Sequence, residues 1–312
     1  MKKNILLVII IFSLISSLSF AQKEVVDSTK VKEKDYPVSS AFESGNLIDA
    51  QTTVIPDVKT LEFVIQHKFG TIENGSSDLW GVYGSSNIRL GLSYVLRKNF
   101  QIGAGITKKG MTGDKNIVDL DAKWTILQQT RKNTIPVSVA LYGDVAIDGR
   151  NIHAFESDSV REAYTGPISH FKFSDRLSYF SQLIISRKFN NWLSLQAGVS
   201  FTHYNSVGVK YDHDKIGVHL NGRVKVSPQG SVIFNYDQPL KIKNISEQIQ
   251  WTNPPKPNLA IGYEISTGTH AFQIYLGSTS SLLPQDNMMW NQNDWQNKGL
   301  SVGFTITRLW GF

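Results

Sequence analysis

Apolar and polar side chains alternate along most of the chain beyond Lys59. The last stretch, 300–312, shows the alternation most clearly, because its apolar residues share one parity and its small or polar residues share the other. The apolar parity consists of Leu300, Val302, Phe304, Ile306, Trp310 and Phe312. Successive side chains of a β-strand point to opposite faces, so this stretch predicts a strand with one apolar face and one polar face.

The same period of two recurs in other segments of strand length. These segments lie near 61–68, 87–97, 100–107, 118–126, 135–145, 176–187, 193–201, 216–226, 232–237, 259–265 and 271–277. In most of them aliphatic or aromatic residues occupy one parity, and charged, amide, hydroxyl or glycine residues occupy the other. A transmembrane β-barrel requires this arrangement, with apolar side chains toward lipid and polar side chains toward the lumen.

The connections between these segments alternate between short and long. The short ones fall near 97–99, 128–134, 187–191, 227–230 and 266–269, and the long ones near 70–85, 108–116, 148–175, 204–215, 242–257 and 279–298. Transmembrane barrels have short periplasmic turns and longer outer loops, whereas a soluble β-sandwich has no reason to sort its loops by length. We therefore predict an all-β fold, a closed antiparallel transmembrane β-barrel of about 12 strands, with roughly 10 to 14 compatible with the pattern.

The N-terminus has the form of a secretory signal. Lys2 and Lys3 precede an apolar run at 5–18, which is shorter than the roughly 20 residues that a spanning helix needs, and Ser19-Phe20-Ala21 supplies small residues at the cleavage positions. The predicted organisation is a signal peptide at 1–21, a periplasmic leader or mouth segment at 22–57 and an outer-membrane barrel at 58–312. Both ends of the mature chain are then periplasmic, in the outer membrane of a Gram-negative bacterium.

Composition removes several classes of site. The chain has no cysteine, which excludes a lipoprotein anchor, disulfides and thiolate metal sites. Its formal net charge of +6 is spread along the chain without a basic block of the kind that binds nucleic acid. No nucleotide-binding, zinc-protease or nucleophile-elbow motif is present, so the sequence predicts no cofactor, no metal and no catalytic residue.

Several short motifs resemble a Bacteroidetes β-barrel family that is catalogued only as a domain of unknown function. The main ones are Gln66-His67-Lys68-Phe69-Gly70, Asp78-Leu79-Trp80-Gly81 and the stretch 86–94. Further marks are Ala41-Phe42-Glu43-Ser44, Asn46-Leu47-Ile48, Lys123 with Gln128-Gln129, and Pro136-Val137-Ser138. The resemblance implies an outer-membrane barrel and brings no activity or ligand. The family usually has arginine at the position of Lys68, and this change weakens any role in bidentate pairing.

Charged residues on the polar parity are the candidates for lining the lumen. They are Glu62, Lys68, Arg89, Arg97, Asp121, Lys123, Asp144, Arg223, Lys225, Asp237 and Glu264. Both signs occur on neighbouring strands, which suits either a polar pathway that selects solutes or a salt-bridged filling of a narrow barrel. Side chains fill a barrel of about eight strands, whereas a barrel of about sixteen leaves a channel. A barrel of about 12 strands lies between these two cases, so the pattern leaves both interpretations open.

The last outer loop is rich in tryptophan, methionine and amide residues. Its outer-loop contact candidates are Met288, Met289, Trp290 and Trp295. Such a loop can act as a lid or a ligand-contact surface, or it can fold onto the aromatic girdle of the barrel.

Three hypotheses for function follow. The first is a narrow pore for small polar or amphipathic solutes, and the second is a closed scaffold or receptor that acts through the outer loops 148–175 and 279–298. The third is an outer-membrane hydrolase that combines His219 or His203 with a serine of the lumen or rim. The expected partners are outer-membrane lipid, a candidate small-molecule solute, and the barrel-assembly machinery through the strand ending at Phe312, with no nucleic acid.

Overall fold

The structure is a computed structural model that describes residues 34–109, 115–150, 172–207 and 211–312. The predicted signal peptide, the first part of the leader and most of the connection 148–175 lie outside the described residues. Two short strands, β1 (Asn46–Leu47) and β2 (Ala50–Gln51), precede the barrel. The barrel strands are β3 (Thr60–Thr71), β4 (Asn87–Arg97), β5 (Phe100–Lys109), β6 (Lys115–Leu127), β7 (Ser138–Asp148), β8 (Leu177–Lys188), β9 (Leu193–Tyr204), β10 (Asp214–Lys225), β11 (Gly230–Leu240), β12 (Asn258–Thr267), β13 (His270–Gly277) and β14 (Ser301–Gly311).

Within the described residues, these twelve strands form one closed barrel in which each strand pairs antiparallel with its neighbours in sequence. Strand β14 closes the barrel by pairing with β3 from Trp310 opposite Leu61 to Ser301 opposite Thr71. The predicted fold class and the prediction of about 12 strands are confirmed. The connection lengths alternate as predicted with one exception, because 128–137 at one end is longer than 110–114 at the other. We call the end with the short connections the short-turn rim and the other end the long-loop rim.

The two faces of the barrel wall differ as the period of two predicts. Outward-facing Ile106 and Ile274 are each 61% exposed, whereas their inward-facing neighbours Thr107 and Gln273 are buried. Alternation therefore places an apolar surface outside and a polar surface inside. Burial of the inward face also shows that something fills the lumen.

A β-bulge moves one predicted lumen residue out of the barrel. The register between β4 and β5 shifts between Val95 and Arg97. Val95 still follows the inward parity and is buried, whereas Arg97, which lies beyond the shift, is exposed. The guanidinium of Arg97 lies 5.1 Å from the ring centroid of outward-facing Phe100. The assignment of Arg97 to the lumen is wrong, because an extra residue in one strand reverses the parity beyond it.

Residues 41–53, which we call the hairpin, fold back into the lumen from the short-turn rim. The chain first touches this rim, where the Val38 amide donates to the Gln129 carbonyl at 2.9 Å. It then turns through β1 and β2 inside the barrel and returns to the rim, where the Lys59 amide donates to the Val95 carbonyl at 3.0 Å. Part of the segment predicted as a leader or mouth is thus a plug inside the barrel.

The long connection between β13 and β14 enters the lumen from the other end. It forms one α-helix, α1 (Pro284–Trp290), in which the residues from Gln285 to Met289 are buried. Proline suits the first turn of a helix, because its missing N–H has no partner there. Short 3-10 turns span Ile72–Asp78, Phe173–Arg176 and Trp295–Asn297. In the ranges that the structure describes, no helix is long and apolar enough to cross a membrane.

Candidate functional site

The interior of the barrel brings together most of the predicted lumen residues. Eight of them are buried there: Glu62, Lys68, Arg89, Lys123, Asp144, Arg223, Asp237 and Glu264. The side chain of Asp121 is 11% exposed and faces the same space. Lys225 is half-buried at the end of β10. Charged side chains of both signs therefore contact the hairpin and α1, which we call the plug elements, and do not line an open water-filled path.

The base of the hairpin is held by two cations of the wall. Lys123 Nζ donates to the Gly45 carbonyl at 3.2 Å and to Gln51 Oε1 at 3.1 Å. Arg223 forms an ion pair with Glu43. Because the partners include backbone carbonyls of the hairpin, the wall satisfies polar groups that β1 and β2 cannot pair between themselves.

The tip of the hairpin is fastened by Lys68. Its Nζ lies 2.6 Å from Asp49 Oδ1 and donates to the carbonyls of Thr279 and Ser281 at 2.9 and 3.0 Å. Three N–H donors thus meet three acceptors, which suits an ammonium better than the planar fork of arginine. Burial raises the pKa of the Asp49 carboxyl, and the adjacent Lys68 charge opposes that rise. Lys68 joins the hairpin tip directly to the start of the outer loop that carries α1.

The turn of the hairpin is strained and buried. Ile48 has a φ of 55°, a left-handed conformation that is unfavourable for a β-branched residue. Its amide donates to Gln273 Oε1 at 2.8 Å, and its side chain packs in a cluster with Phe42, Leu47 and Tyr275. Such strain persists only where the surroundings impose it, so the lumen holds this turn in place.

Three consecutive polar residues attach α1 to three different strands of the wall. The pairs are Gln285 Nε2 with Asp144 Oδ1 on β7 at 2.6 Å, Asp286 Oδ1 with the Tyr204 hydroxyl on β9 at 2.6 Å, and Asn287 Nδ2 with Asp237 Oδ2 on β11 at 2.9 Å. These strands belong to one run of neighbouring strands from β7 to β11, so the helix is held against that side of the wall inside the lumen. We call α1 the lid helix.

Asp237 is the point where hairpin and lid helix are connected. Its carboxylate accepts from Asn235 at 2.8 Å and from Asn258 and Asn287 at 2.9 Å each. The Asn258 amide also donates to Asp49 Oδ2 at 3.2 Å. A chain of hydrogen bonds therefore links the hairpin tip, through Asn258 and Asp237, to the lid helix.

The other hydrogen-bond partner of Asp237 is His219, which the sequence offered as a candidate hydrolase residue. His219 Nδ1 lies 2.8 Å from Asp237 Oδ1, and its Nε2 lies 2.7 Å from Ser200 Oγ. This is the order of groups in a catalytic triad. However, Ser200 is only 3% exposed, and a side chain at neighbouring Gly217 would meet the Met288 sulfur of the lid helix. In this closed arrangement the three residues tie β9, β10 and β11 together.

We expect Asp237→Ala to lower the stability of the folded barrel strongly. The change leaves several buried donors without an acceptor, and each such group costs about 1–3 kcal/mol. The measurement is the temperature at which the compact, fast-migrating form is lost on a gel. Asp78→Ala is the matched control, since Asp78 lies in an exposed turn outside the barrel. An unchanged midpoint for Asp237→Ala would contradict the role of this carboxylate.

Hairpin and lid helix leave only a small space between them. The cavity measures about 30 Å³ and is lined by Asp49, Asp144, His219, Asn287 and Met288, among others. That volume holds roughly one water molecule. Among the described residues, the space between these two elements is therefore too small for a solute.

The outer-loop candidates divide between the lumen and the rim. Met288 and Met289 are buried, so the prediction that they form an outer contact surface is wrong. The helix that contains them folds into the lumen, where their apolar side chains are removed from water. Trp290 packs with Trp251 at 5.9 Å between ring centroids, while Trp295 is 42% exposed.

Sequence reasoning missed several residues of the lumen. Asp119 lies on the polar parity of a predicted strand, so its pattern was available but was not used to select it. Asp49 lies outside the predicted strands, so side-chain alternation does not mark it as a lumen residue. A residue in a turn shows its partners only after the hairpin has entered the barrel.

Comparisons with solved structures return outer-membrane barrel proteins at low similarity. The KdgM porin matches with a TM-score of 0.44 at 7% identity, covering 81% of this chain and 99% of that one. The NanC porin matches with a TM-score of 0.47 at 8% identity, again over 81% and 99%. An outer membrane channel from Pseudomonas putida F1 matches with a TM-score of 0.48 at 12% identity, over 83% and 97%. At these scores we draw no functional argument from them.

The family is shown by the sequence itself. No curated protein matches the chain. A family described as a membrane bound beta barrel domain matches residues 42–310, which include the hairpin, the lid helix and nearly all of the barrel. The resemblance found from the short motifs is thereby confirmed, and the chain belongs to this family, "Membrane bound beta barrel domain (DUF5777)".

Proposed function

We propose that this protein is an outer-membrane channel that is closed at rest and passes small polar or amphipathic solutes when the hairpin and the lid helix move. One observation carries the proposal: the wall behind both plug elements is lined by charged and amide side chains. Those side chains bind the plug elements through hydrogen bonds and ion pairs, beside smaller apolar clusters around Phe42 and Met288.

Polar contacts of this kind permit opening. A hydrogen bond between two protein groups is worth only about 0.5–1.5 kcal/mol net, because water replaces the partner when the groups separate. If the wall were apolar, withdrawal of the plug would expose it to water at a cost of about 25 cal/mol per Å². A polar wall is instead ready to be hydrated, which is what a solute pathway requires.

The proposal assigns the short-turn rim to the periplasm. Short turns face the periplasm in barrels of this kind, and longer loops face outside. The hairpin then enters from the periplasmic side, and the lid helix enters from the outer side. The two ends of the channel have separate closures, which meet at Asn258 and Asp237.

A closed receptor or scaffold is the second candidate, and the filled lumen favours it. In that case the barrel wall supports the outer loops, and the hairpin and lid helix are permanent parts of the interior. The two candidates differ in whether the full-length protein ever opens. An experiment that weakens the contact between the hairpin and the lid helix distinguishes the two candidates, because it releases both plug elements without deleting them.

The deciding experiment records the Lys68→Met variant in planar bilayers. We expect discrete openings of uniform size that are more frequent than in the unchanged protein, because the variant loses one contact of Lys68 with the hairpin tip and two with the outer loop. Adding Lys123→Glu should shift the reversal potential of these openings toward cations, since Lys123 faces the path. Adding Arg97→Glu reverses an equal charge outside the lumen and should leave the reversal potential unchanged.

One result would oppose the channel, and a second would oppose only the path proposed for it. If hydrogen exchange shows that the hairpin is released in Lys68→Met but no openings occur, the barrel is a closed receptor or scaffold. If openings occur and Lys123→Glu leaves their selectivity unchanged, the path does not run past Lys123.

A further inference from the structure

Three carboxylates meet inside the barrel close to the lid helix. Asp119 and Asp121 lie on β6, and Asp144 lies on β7. One oxygen from each lies within 4.8 Å of the others. A calcium ion binds oxygen at about 2.3–2.6 Å, so two ligands of one ion lie at most about 5 Å apart. The three carboxylates are thus close enough to share one ion.

Two glycines make room for these carboxylates. A Cβ at Gly103 would lie 2.6 Å from Asp121 Oδ2, and a Cβ at Gly105 would lie 2.6 Å from each carboxylate oxygen of Asp119. Both glycines face Asp121 and Asp119 directly across the β5–β6 pairing. Any larger residue at either position would occupy the space that the carboxylates use.

The cluster carries more negative charge than its neighbours balance. Arg89 donates to Asp119 and lies 3.8 Å from Asp121, whereas Asp144 has no ion pair among the described residues. Lys123, the next cation along β6, is directed to the hairpin. Three carboxylates against one guanidinium leave two negative charges in a buried region, where uncompensated charge is costly. A divalent cation supplies the missing charge.

Unpartnered oxygen atoms point to the same place. Asp144 Oδ2 is buried and has no hydrogen-bond partner. Gln285, a fully buried residue of the lid helix, has its Nε2 2.6 Å from Asp144 Oδ1 while its Oε1 has no partner. Turning this amide over exchanges its oxygen and nitrogen without moving the side chain. The amide oxygen then faces the carboxylates as a fourth ligand.

We propose that Asp119, Asp121 and Asp144 bind a divalent cation, with Gln285 of the lid helix as an additional oxygen ligand. The chemistry favours calcium, because its ligands are oxygens in flexible geometry. Magnesium usually keeps several waters, and the adjoining cavity of about 30 Å³ has room for roughly one. Because Gln285 lies on the lid helix, the ion joins the lid to the barrel wall. The site itself does not depend on whether the barrel conducts.

Terbium luminescence and calorimetry on the folded, full-length protein test the site. Tyr142 lies two residues from Asp144, lines the same cavity and can sensitise bound terbium. We expect sensitised emission that calcium displaces, and calorimetric calcium binding with a Kd of about 10⁻⁴–10⁻³ M, as in extracellular calcium modules. Tyr142→Phe should remove the emission and keep the calorimetric signal, which places the ion beside this ring.

Matched variants decide whether these residues are the ligands. Asp144→Asn and Asp121→Asn should each weaken calcium binding at least about tenfold through loss of a charged ligand. Glu264→Gln is the control, since Glu264 is also buried in the lumen but pairs with Arg223. Absence of calcium binding in the unchanged protein, or equal binding in Asp144→Asn and Glu264→Gln, would overturn the proposal. If Asp144→Asn does not fold, the comparison of Asp121→Asn with Glu264→Gln gives the same decision.

Discussion

Removal of both the hairpin and the lid helix should turn a closed barrel into a steadily conducting one. The variant replaces 42–52 and 282–292 with Gly/Ser linkers. The two elements enter the lumen from opposite ends, so either single replacement leaves the other element in place. We expect the double variant to conduct about tenfold or more above both single variants, because a wall of 12 strands is wider than the eight that side chains fill. Conductance in planar bilayers gives the comparison.

The control for this experiment is the fold of each variant. A heat-dependent gel shift shows whether the barrel has formed, and only barrels that have formed are compared. Equal conductance of one single variant and the double variant would mean that one element alone closes the lumen. A silent double variant with an intact barrel would mean that the wall's own side chains fill it.

Replacing Lys68 with methionine should release the hairpin tip. The change leaves Asp49 and two carbonyls without their buried partner, and breaking one side of a buried ion pair costs about 3–5 kcal/mol. Since a factor of ten corresponds to about 1.4 kcal/mol, hydrogen exchange in 41–53 should speed up by about a hundredfold or more wherever opening limits it. Mass spectrometry of peptides from this segment gives the rates.

The paired variant Lys68→Met with Asp49→Leu is the matched control. It removes both charges together, so no charge is left buried without a partner. The hydrogen-exchange rates of 41–53 should therefore return most of the way to those of the unchanged protein. If the single and the paired variants exchange at the same rate, the ion pair does not hold the hairpin. Lys68→Arg tests the geometry, because a planar fork fits three convergent acceptors less well than an ammonium.

The barrel was predictable because its information is local. Each strand needs one apolar and one polar face, and the alternation of Ile102 with Gln101 or of Phe304 with Thr305 reports those faces directly. Eight of the charged residues selected by parity are buried in the lumen. The prediction that Arg97 faces the lumen was wrong because a bulge depends on how two strands pair, and the composition of one strand does not reveal it.

The closure of the lumen was beyond sequence reasoning. Residues 41–53 and 284–290 are short and mixed in polarity, and neither shows a period long enough to predict its place. Lys68 illustrates the limit: its position on the polar parity predicted that it faces inward, but not that Asp49 and the loop carbonyls converge on it. Those contacts join positions that lie far apart in the chain.

The sequence by itself determined the class of this protein and the faces of most of its strands, and it predicted about 12 strands with connections that mostly alternate between short and long. These properties follow from side-chain alternation, which the chain carries at every strand. Only the tertiary structure decided that the lumen is closed, which charges pair across it, and that Asp119, Asp121 and Asp144 meet beneath the lid helix. The physical reason is that burial and charge compensation depend on groups brought together from distant segments, and these meet only once the barrel has closed around the hairpin.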